Sequence, residues 1–261
     1  MLGQRVPIFD HGMVLTKEML VGLSEYSIGT NELLYQGFSK GILRGCRLTV
    51  DVNHLTVGQG LLFFEHRILM ITESVTMEYT PNNQCMALKF LVGEEMNHNN
   101  VLERTVELVI TPELSDSQQS IELARVRLQS GAILRNQYKN FMDYNTEYDT
   151  LNIIHSNWSS YDGDTLSPIL LRGFADEMMQ LREKNPMDMM FCQQIYGMNG
   201  SSLSLSAILN YIRCRLPEQK KIHSKMEIYQ GLLQILRMGS GSRLEKTTSN
   251  QRERKSIFVD Y

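Results

Sequence analysis

Gly37-Phe38-Ser39-Lys40-Gly41 matches the GxSxG arrangement, in which a serine held on a sharp turn serves as the nucleophile of acyl transfer. That chemistry needs a strand before the serine and a helix after it. The apolar spacing here predicts the reverse order, helix before and strand after, so Ser39 is expected to be an ordinary turn residue. Asp10-His11 offers a carboxylate beside an imidazole, but adjacent side chains rarely face one another. The six histidines include no HExxH and no i, i+4 pair, which leaves zinc chemistry without ligands at the right spacing. Asp143, Glu147, Asp149, Asp162 and Asp164 supply oxygen ligands without calcium-loop spacing, and read as a solvated acidic face. No GxxxxGK[ST] or GxGxxG motif is present to cradle a phosphate. The sequence therefore predicts no catalytic residue, no metal ligand and no cofactor. A serine hydrolase centred on Ser39 stands as an alternative reading.

Arg125, Arg127 and Arg135 could form a basic patch, joined by Arg252, Arg254 and Lys255 near the end of the chain. They lack the interleaved aromatics of a nucleic-acid surface, and the net charge of −3 argues against a phosphate-binding field over the whole molecule. An acidic partner protein explains them equally well, and no nucleic acid is expected. Trp158 and Tyr161 beside Asp162 and Asp164 suggest a second alternative, a receptor- or carbohydrate-binding adhesin, because sugars stack on rings and hydrogen-bond to carboxylates.

The elements that would position these residues follow from two periodicities. Val6 to Phe9 reads as an extended lead. Thr16 then caps a helix carrying Met19, Leu20, Leu23 and Tyr26, which Gly29 is expected to break. From Gly41 the period becomes two. Strands are expected at Cys46–Val52, from Leu55, at Leu61–Phe64 and Ile68–Ile71, from Val75, at Met86–Val92 and Thr105–Ile110, and along Ala124, Val126 and Leu128. Residues 136–165 are polar and read as a long surface connection. Helices are then expected from Ser167-Pro168, from near Pro186, over about Ser202 to Leu216, and from about Ser224 to Met238. Gly239-Ser240-Gly241-Ser242 reads as a flexible joint. Beyond it, exposed Ile257, Phe258 and Tyr261 would be unfavourable in water unless docked.

The fold class expected is α+β: an antiparallel β-sandwich over residues 1–135 with a short N-terminal helix, a connection over 136–165, a four-helix bundle over 166–238, and a flexible tail over 239–261. No stretch approaches a spanning helix, no secretory leader is evident, and four scattered cysteines fit reduced thiols, so a cytoplasmic chain is expected. The sixteen methionines fit either an adaptable core or an adaptable contact surface.

The opening FDHGMVLTKEMLVGL, followed by GILRGCRLTVDVNHLTVGQGLLFF, resembles the N-terminal part of the baseplate adaptor family of type VI secretion and contractile injection systems, which is related to phage-tail receptor-binding proteins. Gly12, Met13 and Leu15 fit its opening motif, with Phe9 where the family carries a tryptophan. TEYDTLNIIHSNW and TLSPILLRGFADEM resemble its passage from sandwich to bundle. The resemblance implies a structural baseplate subunit, a homotrimer held by the bundle, with the sandwich docked to baseplate or tail proteins. Peripheral contact with a membrane complex or receptor is also implied. The residues expected to meet partners are Val6, Ile8, Phe9, Met13, Leu15, Met19, Leu20, Ile257, Phe258 and Tyr261, the alternative for the first seven being burial in the chain's own core.

Overall fold

The computed structural model describes residues 7–99, 101–182, 184–218 and 222–252. An N-terminal helix, α1 (Lys17–Leu34), precedes nine strands: β1 (Gly41–Gly45), β2 (Leu48–Val50), β3 (His54–Val57), β4 (Gly60–Phe64), β5 (Arg67–Ile71), β6 (Val75–Glu78), β7 (Cys85–His98), β8 (Val101–Thr111) and β9 (Ser120–Arg127). A 3₁₀ turn (Phe141–Asn145) and two short strands, β10 (Trp158–Ser160) and β11 (Gly163–Thr165), follow. The described chain then ends in helices: α2 (Pro168–Gln180), α3 (Pro186–Gly197), α4 (Leu205–Arg215) and α5 (Lys225–Arg252). The chain is thus mixed α+β, with four of its five described helices C-terminal.

Three sheets form. One has the order β11-β10-β1-β4-β5, and two have three strands each, β2-β3-β6 and β8-β7-β9. Pairing is antiparallel except where β1 lies parallel to β10, with Ile42 opposite Trp158. This parallel pair answers for the main miss of the sequence reading. Residues 136–165 are no surface connection: Phe141, Leu151, Ile154, Trp158 and Ser159 are buried, and β10 closes the first sheet against β1. Its buried polar side chains, such as Asn157, Ser159 and Ser160, bond to backbone groups inside the protein, as buried polar groups must.

Three further expectations change. The strand expected at Cys46–Val52 is broken, because Gly45 and Cys46 both take left-handed backbone angles (φ +76° and +51°) and turn the chain from β1 into β2. α1 passes through Gly29, whose missing side chain meets nothing within 4 Å; a single glycine costs a helix only about 1 kcal/mol. Likewise α5 does not stop at Met238 but carries its helical backbone through Gly239-Ser240-Gly241-Ser242 to Arg252, so no joint lies there.

The helix starts follow their caps. Thr16 Oγ1 accepts the Met19 N–H at 3.3 Å, Ser204 caps α4, and Asn185 caps α3 with Pro186 behind it. Ser224 and Glu227 make a reciprocal box at the start of α5, where Glu227 accepts the Ser224 N–H and Ser224 Oγ accepts the Glu227 N–H. One continuous core joins the sheets to the helices, running from Leu55, Leu88 and Phe90 through Phe141 and Ile154 to Phe174, Ile208, Tyr229 and Leu232. Within it Phe191 and Tyr211 stack at 3.9 Å, and Tyr229 donates to the Phe141 carbonyl at 2.9 Å. Met178 is buried there and Met77, Met86, Met179, Met198 and Met226 pack against the core, whereas Met187, Met189 and Met190 are exposed on α3, so methionines serve both the core and the surface.

Candidate functional site

Each cluster suspected of chemistry resolves into a structural arrangement. Ser39 sits where α1's exit turns into β1. Its backbone N–H donates to the Ser160 carbonyl at 3.1 Å, and its hydroxyl accepts the Ser160 N–H at 3.5 Å. Among the described residues no histidine or carboxylate bonds to Ser39. Gly41 is required there because a side chain would lie 2.8 Å from the Asn157 carbonyl oxygen, with φ at +146°.

The acidic segment does not converge. Asp143 is held by Arg135 through two bonds of 2.6 and 2.7 Å, which keep its carboxyl well below the usual range. Glu147 pairs with Arg127, and Asp149 accepts the Gln129 N–H. No group of three potential metal ligands occurs among the described residues. The same pairs take up the first three arginines of the expected basic patch, since Arg125 is chelated by Glu122 at 2.6 and 3.1 Å and the other two are taken by the acids just named, while Arg254 and Lys255 fall outside the described residues. The sugar-stacking pair is also separated. Trp158 is buried, and Tyr161 is exposed but packs its edge near Phe38.

Asp164 belongs to a junction that sequence reading missed. Its Oδ2 lies 2.6 Å from Lys225 Nζ at the start of α5, and it also accepts from Asn157 Nδ2 (2.7 Å) and the Trp158 N–H (3.0 Å). Lys225 spends its other protons on the His155 and Ser156 carbonyls. Asn157 in turn accepts the Glu122 N–H. All three ammonium donors are used, so this lysine has no lone pair to offer as a base or nucleophile. Burial pushes Asp164 up and Lys225 down, and it pushes His155 down to about 4 with Arg125 and Lys225 adding repulsion. The junction clamps α5 to β9 and β10.

What lacks an internal role is the N-terminal arm. α1 has no buried residue. Ile8 (75% exposed), Phe9, Met13, Leu15 and Leu20 all present apolar surface, and Met19 is half-buried. Val14, Val21, Leu23, Tyr26, Ile28, Leu33 and Leu34 are exposed as well. None of the described expected contact residues lies in the chain's own core. Val6, Ile257, Phe258 and Tyr261 fall outside the described residues. At 100° per residue, Met19, Leu20, Leu23, Tyr26, Leu33 and Leu34 share one broad stripe, while Glu18, Glu25 and Glu32 recur every seven residues on the opposite side, beside Val21 and Ile28. The arm is fixed at its root by Tyr35, whose ring lies 5.2 Å from Phe38 and 5.9 Å from Phe63. The sequence carried the signal for the extra residues, because apolar side chains continue past Gly29 at helical spacing.

No family model matches the sequence, and no curated protein matches it. Among solved structures, the chain is similar to a crystal structure of TssK, with a TM-score of 0.40 and 11% identity over 91% of this chain and 72% of that one. It is also similar to a chain of a TssK-TssF-TssG baseplate subcomplex of the type VI secretion system, determined by cryo-electron microscopy. There the TM-score is 0.38 and the identity 5%, over 91% of this chain and all of the other. Similarity this low carries no functional argument. No described helix is long and apolar enough to cross a membrane.

Proposed function

We propose that this chain is a structural assembly subunit that docks onto a larger partner through its N-terminal arm. The observation that carries the reading is α1 itself, an 18-residue helix with eight large apolar side chains and none buried. An isolated helix of this length is marginal in water, and exposed apolar surface on this scale marks an interaction site. The apolar stripe faces the partner and the row of glutamates faces solvent, as in helix-in-groove recognition. The resemblance of the opening segment supports a baseplate of a contractile injection system or phage-like tail as the partner. On this reading the strand-rich part is the sandwich that docks, the C-terminal helices form the bundle, and residues 8–20 provide the anchor.

The test is coexpression with the baseplate proteins of the same device. The full-length chain is expected to copurify with them, and a Leu20→Asp/Leu23→Asp variant, still folded by circular dichroism, is expected to be lost from the complex. Copurification of the folded variant at the wild-type level would overturn the reading.

A further inference from the structure

A cavity of about 160 Å³ opens between the β1–β2 corner, β9, β10 and the start of α2. Its walls are apolar, formed chiefly by Ile42, Leu48, Leu123, Ile153, Trp158 and Ile169. The polar groups around it are already engaged: Asn136 Nδ2 donates to the Leu48 carbonyl at 2.9 Å, Tyr138 to the Leu151 carbonyl at 2.6 Å, and Ser156 to the Ile153 carbonyl at 2.7 Å. An engineered apolar cavity of about 150 Å³ holds one benzene ring, so this one suits a single aromatic side chain. At its rim stands Arg47, exposed and without a side-chain hydrogen bond or ion pair among the described residues. Its backbone is pinned, since the Gly58 N–H donates to the Arg47 carbonyl at 2.9 Å and the Cys46 N–H donates to Gln59 at 2.8 Å. Cys46 holds a left-handed angle to make this corner, and a side chain on Gly60 would sit 2.4 Å from its sulfur. The ligand that fits is therefore an aromatic ring followed closely by a carboxylate.

The chain's own sequence contains that pair. In an extended Ile257-Phe258-Val259-Asp260, Phe258 and Asp260 lie two residues apart and so point to one side. The same chain cannot deliver it. α5 begins beside the cavity, where Lys225 binds the Ser156 carbonyl, and reaches the far end of α2, where Gly239 abuts Leu181. It therefore runs away from the cavity for about 42 Å of helix. Six residues from Arg252 to Phe258 span at most about 21 Å. We propose that the cavity receives Phe258 of a second copy of this chain, with Asp260 of that copy paired to Arg47, so that copies associate tail to pocket.

The test uses two full-length variants. Arg47→Glu damages the rim and keeps the tail; Phe258→Ser damages the tail and keeps the cavity. Wild type is expected to self-associate in sedimentation velocity, and each variant alone to weaken this at least about tenfold. Mixed together, the two variants are expected to form one-to-one pairs, because an intact tail then meets an intact cavity. The emission of Trp158, the single tryptophan, should shift in that mixture, and also when a synthetic peptide of residues 256–261 is added to the Phe258→Ser chain. A monomeric wild type, a mixture that forms no pairs, or self-association untouched by both substitutions would each overturn the proposal. None of these outcomes bears on docking through α1.

Discussion

Lowering the pH from 7 to 4.5 should weaken the protein by more than its carboxylates account for, and His155 is the reason. Its imidazole is half-buried, and burial first, then Arg125 and Lys225, pushes its proton affinity down to about 4 from an ordinary 6.5. The native state therefore refuses a proton that the unfolded chain accepts. The stabilisation is complete above 6.5 and is lost as pH falls from 6.5 through about 4. The full difference corresponds to about 3 kcal/mol, and screening of a group that water partly reaches reduces it to about 2 kcal/mol. Asp164, pushed up by burial, works in the opposite sense, because its native carboxyl takes a proton more readily than its unfolded one. Asp143, pulled down by Arg135, loses its contribution only as pH falls below the ordinary aspartate range. His155→Gln leaves both in place, so the difference between variant and wild type isolates the imidazole. Urea unfolding at pH 7, 5.5 and 4.5 reads it directly. The wild type should lose about 2 kcal/mol more than His155→Gln across that range. Parallel losses in the two proteins would refute the assignment of the charge cluster as the cause.

Three further outcomes are expected. Lys225→Met strands the Asp164 carboxylate in the junction and should cost about 3–5 kcal/mol by urea unfolding, whereas the pairwise replacement Lys225→Met/Asp164→Leu should recover much of it. Gly60→Ala places a carbon 2.4 Å from Cys46 Sγ and 2.7 Å from the Arg44 carbonyl oxygen, so the melting temperature should fall by several degrees; Gly29→Ala meets nothing and should raise helix stability by about 1 kcal/mol. Leu33→Ser, at a side chain 74% exposed, should leave folding stability within about 0.5 kcal/mol while weakening partner binding.

The legible parts of this chain were those in which local rules and burial agree. The alternation of Ala124, Val126 and Leu128 predicted β9, and Thr16, Ser167-Pro168, Pro186 and Ser224 marked four helix starts. The illegible parts were decided by distant partners. Trp158–Ser160 pairs with its neighbour β11 on one side, but its place in the first sheet is set by β1 on the other, across more than a hundred residues. Asp164 and Asn157 look like loop polarity until Lys225 and Glu122 arrive from other elements. Arg125, Arg127 and Arg135 look like a binding patch because the sequence does not show their carboxylate partners folding back onto them. The uncovered residues on α1 were visible as apolar positions at helical spacing, but only coordinates separate a helix packed into its own core from one left uncovered. The cavity beside Arg47 had no sequence signal, since its walls come from five separate stretches of chain.

Amide hydrogen exchange over α1, in the free chain and in the assembled complex, bears most directly on the docking reading. The uncovered helix should exchange within its fast, locally opening regime when free, and amides of residues 17–34 should slow by at least about tenfold on assembly while β7 and β9 stay unchanged. Equal exchange of α1 in both states would contradict the account.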